Sequence, residues 1–236
     1  LLPSAATVAD LRAQGYALGG LVANRVMLCV RGGQEYLLKP LRDDEAARVR
    51  VFEDAVGDAL PLLHVTPFEL VEMPGGKQYM IMPKYDTSLD AVSYLTPTGV
   101  TMLWEHLQEA LDALHGEGFV HGDIKPSNIC LDEDDTTAIL IDLCSVVRVG
   151  HPALSTPAYI PRDLRAPSDD RGRIALDWWM VAMSLAEKAC GEDGAALEMG
   201  NDWSMSMEEL QDHLEEFLDP DVWAELQPRL TTDDFW

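Results

Sequence analysis

The segment HGDIKPSNICLDEDDTTAILID carries four polar side chains whose types and order could do chemistry together: Asp123, Lys125, Asn128 and Asp142. An aspartate, a lysine two residues on and an asparagine five residues on fall in a loop between a helical and a strand pattern. The hairpin that follows returns to the second aspartate. The set is what phosphoryl transfer needs. One carboxylate orients the attacking hydroxyl, and an ammonium offsets charge on the moving group. An amide oxygen and a second carboxylate hold Mg²⁺ against the phosphates. Each of these residues alone reads as a solvated loop residue. Their ordered combination carries the signal.

The elements that must position them follow from pattern. Thr7 opens a T-x-x-D run to Asp10, which predicts a capped short helix stopping near Gly15. RVMLCV, RGGQ and EYLLK read as a β-hairpin with Gly32 and Gly33 at the bend. Asp43 and Asp44 are expected to cap a helix running to about Asp58, with Ala46, Val49, Val56 and Leu60 near helical spacing. FELVE and KQYMIM flank a PGG turn at 74–76 and form a second hairpin. Beyond Tyr85 the character turns helical. Leu103, Leu107, Leu111 and Leu114 make a stripe that ends at Gly116. NICL and TAILID flank the acidic run DEDD at 132–135, a solvated hairpin tip that lacks the glycine and distal glutamate of a calcium loop. A strong helix is predicted over 174–189, and an amphipathic one over 207–218 through Leu210, Leu214 and Phe217.

Composition narrows the function classes. A chain of 236 residues, 47% hydrophobic and 25% charged, can build a core and suits one domain of two lobes. No apolar run reaches the length of a membrane helix, and the N-terminal LLPSAATVADLRAQ lacks the basic and apolar regions of a secretory signal. With 17 Lys and Arg against 41 Asp and Glu, the net charge of −24 repels nucleic-acid phosphates and anionic membranes and attracts basic proteins. From Glu192 onward fourteen acidic residues face Arg229 alone. Cys29, Cys130, Cys144 and Cys190 lie far apart without a C-x-x-C pair, and the six histidines show no zinc-ligand spacing. Free thiols imply a cytoplasmic or other reducing intracellular location, a host cell included.

Over nearly its whole length the chain resembles a eukaryotic-type protein kinase domain. HGDIKPSN resembles the H-R-D-x-K-x-x-N catalytic loop, which implies Asp123 as catalytic base and Lys125 as the cation beside the moving phosphoryl group. IDLC resembles D-F-G, so Asp142 is implied as a metal ligand together with Asn128. STPAYIPRDL resembles the substrate-receiving segment that ends in A-P-E, with Thr156 at a catalytic position and Asp163 on the glutamate position. LDWWMVAMSLAEKACG resembles the next helix, in which Asp177 would bond the catalytic-loop backbone. LQPRLT resembles a late R-L-T pattern that would pair Arg229 with Asp163. In the smaller lobe EYLLK resembles V-A-I-K, which implies that Lys39 binds the α- and β-phosphates. Its partner would be Glu53, with Glu45 the alternative. Gly19, Gly20 and Val26 belong to the phosphate-covering loop. Met82 would be the gatekeeper, Lys84 and Tyr85 part of the adenine-facing hinge, and Cys130 the floor under adenine.

The resemblance implies an α+β bilobal fold: an N-lobe over 1–85 with a small antiparallel sheet and one main helix, and a larger, mostly helical C-lobe over 86–236. It implies transfer of the γ-phosphoryl of Mg-ATP to a serine or threonine of a protein substrate, with the acidic larger lobe favouring basic substrates. The chain departs from the family at Leu21 and Asn24, where later glycines are usual, at Leu37 for a small alanine, and at Cys144 for glycine. Gly122 stands where regulated kinases carry arginine, so activity independent of activation-segment phosphorylation is expected. Two other readings stand beside this one. The departures suit a pseudokinase scaffold. H-G-D is also shared with aminoglycoside- and choline-type small-molecule kinases, although Lys125 and Thr156 favour a protein serine/threonine kinase.

Overall fold

A computed structural model describes residues 4–23, 25–57, 61–132, 137–161, 164, 173–189 and 206–230. The chain divides into two compact units, one of Leu1–Pro61 with Thr66–Lys84, the other of Leu62–Val65 with Tyr85–Trp236.

In the first unit the alternating apolar runs form five strands: β1 (Ala17–Ala23), β2 (Val26–Arg31), β3 (Gln34–Pro40), β4 (Glu69–Met73) and β5 (Lys77–Pro83). They pair antiparallel in the order β1-β2-β3-β5-β4. Gly32 (φ 62°) and Gly33 (φ 87°) supply the left-handed bend that a two-residue hairpin between β2 and β3 requires. Met27, Cys29, Leu38, Val71, Met73, Tyr79 and Ile81 form one buried cluster with Leu11 and Tyr16. Leu11 comes from helix α1 (Ala5–Ala13). Helix α2 (Asp43–Val56) buries Ala46, Val49, Phe52 and Val56, and Phe52 stacks on Phe68 at 6.2 Å.

Two helix starts differ from expectation. The N-cap of α1 is Ser4, whose Oγ accepts from the Thr7 N–H at 3.1 Å, and Thr7 lies buried inside the helix. Ser4 precedes Thr7 by three residues, and its hydroxyl takes the cap although no acidic residue completes a capping box there. In α2 the cap position is Arg42, whose N–H donates to Glu45 Oε2 at 2.8 Å, so Asp43 and Asp44 sit within the first turn. There their charge complements the helix dipole. Asp58 and Leu60 lie outside the described residues.

The second unit is built on helices α3 (Pro97–Gly116) and α4 (Ile174–Ala189). The expected stripe of α3 is buried with Trp104, and its first turn is capped by Thr96. Helix α4 is buried almost all round, including Trp178 and Trp179, which is the mark of a central core helix. The second unit also holds short strands: β6 (Thr87–Ser88), β8 (Ile129–Leu131) and β9 (Ala138–Leu140) in one sheet, β7 (Phe119–Val120) with β10 (Val147–Arg148) in another. Helices α5 (Met207–Phe217) and α6 (Pro220–Leu226) follow, α5 capped by Ser206. The side chains of Leu210 and Phe217, residues 133–135 of the acidic turn, and Cys190 lie outside the described residues. No helix among the described residues is long and apolar enough to cross a membrane.

Candidate active site

The loop after β7 is held from below by one buried carboxylate. Asp177, in the first turn of α4, accepts from the His121 N–H at 2.8 Å, the Gly122 N–H at 2.9 Å and His115 Nε2 at 3.0 Å. Its first two bonds are those the family resemblance implied. His115, at the end of α3, is a partner that sequence reasoning missed, because a histidine in a last turn reads as a helix-dipole partner. His121 is buried and bridges onward. Its Nε2 donates to the Ile141 carbonyl at 2.8 Å, and its Nδ1 accepts from the Asp123 N–H at 3.3 Å. One neutral tautomer satisfies both bonds. Gly122 has φ +79°, and a Cβ there would meet Ser145 O at 3.3 Å and Ala153 Cβ at 3.5 Å. Glycine therefore answers both the left-handed backbone and the close approach of the segment at Ala153.

Asp123 is the hub of the loop. Its Oδ1 accepts from the Thr156 N–H at 2.8 Å and the Thr156 hydroxyl at 2.6 Å. Its Oδ2 accepts from Lys125 Nζ at 2.8 Å and Asn128 Nδ2 at 3.2 Å. Lys125 Nζ also donates to Thr156 Oγ1 at 2.8 Å, and Asn128 Nδ2 to the Asp123 carbonyl at 2.8 Å. The turn at Pro126–Asn128 is one 3₁₀ turn opened by proline, which folds Asn128 back under Asp123. Three of the four residues grouped by their spacing, Asp123, Lys125 and Asn128, are joined by direct bonds, together with Thr156.

Asn128 and Asp142 supply the donor types that suit a hard cation such as Mg²⁺. The Asn128 nitrogen is committed to Asp123, which assigns its oxygen as the end that can ligate. In the β8–β9 ladder Ile129 pairs with Leu140, so the register sets Asn128 beside Ile141, whose N–H donates to the Asn128 carbonyl at 2.9 Å. Asp142 follows at once with φ 63° and ψ 57°, a left-handed conformation that aspartate tolerates better than most residues. One amide oxygen and one carboxylate are hard ligands that leave room for water and phosphate oxygens, as Mg²⁺ prefers. No group of three His, Cys, Asp or Glu among the described residues could hold a metal unaided. Cys144 is buried and has no positive φ, so the glycine it replaces is not required by the backbone here.

The first unit places the other expected residues individually. Gly19 lies against β2, where a Cβ would come within 3.2 Å of Leu28 Cβ, while Gly20 meets open space. Leu21 and Val22 are exposed, and the β1–β2 register slips between Leu18 and Ala23. Val26 opens β2 opposite Ala23. Lys39 is half-buried opposite Met80, and Leu37 faces the buried Met82. The Lys84 N–H donates to Glu35 O at 3.2 Å and its Nζ to Glu35 Oε2 at 2.8 Å. Glu45 accepts from the Arg42 N–H at 2.8 Å and its Oε1 lies 3.2 Å from the Arg42 guanidinium. Glu53 is half-buried on α2 and has no ion-pair partner among the described residues.

In the second unit Tyr85 is half-buried, and Cys130 lies buried in β8 opposite Ile139. Burial pushes the Cys130 thiol up to about 11, which makes it an inert thiol at neutral pH. Arg229 donates to Asp112 at 2.7 and 3.2 Å and lies 4.3 Å over the Trp178 ring. Its expected partner Asp163 falls outside the described residues.

Comparison with known proteins adds an independent finding. The protein kinase domain family matches residues 71–228. Rho-associated protein kinase 1 of Homo sapiens is 34% identical over 130 residues, covering 51% of this chain and 9% of that protein. Serine/threonine-protein kinase mrck-1 of Caenorhabditis elegans is 38% identical over 92 residues, covering 35% and 6%. The matched region thus spans about a tenth or less of these relatives. The solved structure of the Cydia pomonella granulovirus kinase PK-1 is similar with a TM-score of 0.68, over 95% of this chain and 90% of that one, at 18% identity. That likeness concerns the fold.

Proposed function

The chain belongs to the protein kinase domain family, and from that premise we propose that it is an ATP-dependent serine/threonine kinase. In this reading residues 1–85 hold the nucleotide and residues 86–236 carry the catalytic loop and the protein substrate. The observation that supports it most is the bonded set of Asp123, Lys125, Asn128 and Thr156. Asp123 accepts the proton of the substrate hydroxyl, and Lys125 offsets charge on the transferring group. Thr156 fixes the rotamer of the base. Asn128 and Asp142 hold Mg²⁺, which when bound neutralises phosphate oxygens. Lys39 grips the α- and β-phosphates, and Glu53, which forms no ion pair among the described residues, is the partner expected for it once nucleotide is bound. Gly19, Gly20 and Val26 cover the phosphates, and Met82, Lys84, Tyr85 and Cys130 surround adenine. Residues 85–236 contain 31 acidic side chains against eight basic ones, which favours a basic substrate.

The test is labelled-phosphate transfer from Mg-ATP to a basic generic protein and to the chain itself, read by intact mass. Wild type should transfer, and Asp142→Asn should not, while its thermal midpoint stays near that of wild type. Thermal stabilisation of the wild type by Mg-ATP without any transfer would favour the scaffold reading.

Activity should not wait on phosphorylation of the activation segment. Gly122 offers no cation to read a phosphate, the segment already approaches it at Ala153, and Thr156 is tied to Asp123. Ser155→Ala should therefore change the transfer rate by no more than about twofold, within the usual spread for a substitution away from packed features. A rate that collapses in Ser155→Ala and recovers in Ser155→Glu would contradict this.

A further inference from the structure

Lys188, in the last turn of α4, is 5% exposed, although a lysine is almost never buried without partners. Its Nζ lies 3.0 Å from Glu187 Oε1 and donates to the Val92 carbonyl at 3.1 Å. Its own carbonyl, among those that a helix end leaves open, accepts from the Leu95 N–H at 2.8 Å. One residue therefore clamps both ends of 92–95, the segment between the turn Leu89–Ala91 and the Thr96 cap of α3. Glu187 carries the contact onward, because its Oε2 accepts from the Tyr159 hydroxyl at 3.0 Å. Burial, and then the charge of Glu187, push the Tyr159 phenol above its usual 10, so it stays the donor. Tyr159 closes the 3₁₀ turn Pro157–Tyr159, and its N–H donates back to the Thr156 carbonyl at 3.0 Å. Thr156 in turn grips Asp123 Oδ1. A continuous run of contacts leads from Val92 through Lys188, Glu187, Tyr159 and Thr156 to Asp123.

We infer that Lys188 is a positioning residue: by holding one oxygen of Glu187 it presents the other to Tyr159, and so fixes the turn that begins at Thr156. The bearing of that turn on phosphoryl transfer rests on the proposed kinase function, whereas the order it imposes on Thr156 and Tyr159 does not. The charges around Tyr159 give the reason for a lysine here. Glu187, Asp90 and Asp123 all act on its phenol. Asp123 is paired with Lys125 at 2.8 Å, and Glu187 with Lys188. The Glu187 side chain is 21% exposed, so water is within its reach. Deprived of Lys188, a carboxylate near two others lowers its energy by turning toward solvent. Its departure would leave the Tyr159 hydroxyl without an acceptor and the turn free to shift. A lysine that merely anchored 92–95 would change stability and leave Thr156 and Tyr159 as they are.

Two measurements on the full chain separate these roles. Lys188→Met, of similar length and without a donor, should lower kcat for transfer to a basic generic protein about fivefold, with the KM for ATP unchanged. The same substitution made in Tyr159→Phe, where the path is already cut, should lower kcat by less than about twofold. Equal losses in the two backgrounds overturn the inference. The second measurement is amide hydrogen exchange without substrate. The Thr156 and Tyr159 N–H groups should exchange about tenfold faster in Lys188→Met, while those of Leu107 and Leu111 in α3 keep their wild-type rates. Unchanged exchange at Thr156 and Tyr159 overturns the inference, and so does an equal acceleration throughout α3. If the methionine variant does not fold, Lys188→Gln takes its place with the same expectations, since it keeps a donor for Val92 and loses the charge that holds Glu187. A wild type that transfers no phosphate would end the kinase reading, and exchange would still judge Lys188.

Discussion

Asp123→Asn should lower phosphoryl transfer about 10³-fold, within the range of a lost general base. The fall should lie in kcat, with the KM for ATP little changed, because the residue acts on the hydroxyl and not on the nucleotide. The side chain keeps its size, so the loop has no cavity to collapse into. Its chemistry changes at four bonds. The carboxylate accepts from the Thr156 N–H, the Thr156 hydroxyl, Lys125 Nζ and Asn128 Nδ2. An amide has one accepting oxygen, so its nitrogen must face one of these two donor pairs. The ion pair with Lys125 becomes a neutral contact. Losing charge-assisted bonds of this kind costs about 2 kcal/mol, which for a chain of this length moves the thermal midpoint by about 4–8 °C. The discriminating comparison is therefore between rate and stability measured on the same preparation. A variant that retains more than a tenth of the wild-type rate would remove Asp123 from the role of base. A variant that fails to fold would leave the question to Lys125→Met, whose lost cation should also reduce kcat.

How much of this site could be read from sequence depends on how local its contacts are. Lys125, Pro126 and Asn128 lie within one turn of Asp123, so their spacing alone foretold that they meet. The helices α3 and α4 were legible because burial repeats with the helical period over 20 and 16 residues. Contacts across long separations were not. The bond from Arg229 to Asp112 joins residues 117 apart, and no pattern distinguishes Asp112 from other acidic residues on α3. The commitment of Lys84 to Glu35 spans 49 residues and depends on the antiparallel pairing of β5 with β3, which sets Pro83 opposite Tyr36. The attachment of His64 to Ala138 spans 74 residues, and a single histidine in a loop gives no sign of it. Gly122 illustrates the opposite case. Its type was visible as a departure from the family, but its reason, the approach of Ser145 and Ala153, is tertiary.

The largest effect on stability should come from Asp177→Ala, at about 3–5 kcal/mol, the cost of removing one member of a buried hydrogen-bonded charge network. Asp177 is fully buried, and its side chain has three donors: the His121 N–H, the Gly122 N–H and His115 Nε2. Alanine would strand two backbone N–H groups in a region closed to water, each worth about 1–3 kcal/mol when left without an acceptor. It would also free the loop that carries Asp123, so activity should fall with stability. Asp177→Asn should not rescue the fold, since its amide nitrogen must oppose either the Gly122 N–H or the His121 N–H together with His115. The contrast is Arg229→Gln. That guanidinium is bonded to an Asp112 side chain that is 51% exposed, and an exposed ion pair contributes about 1 kcal/mol or less. The stacking on Trp178 adds about 0.5–1 kcal/mol at such a site. Urea unfolding of both variants should place Asp177→Ala well below Arg229→Gln in midpoint with similar slopes. Equal midpoints would mean that the loop backbone finds other acceptors, and that the buried carboxylate is not what holds Asp123 in place.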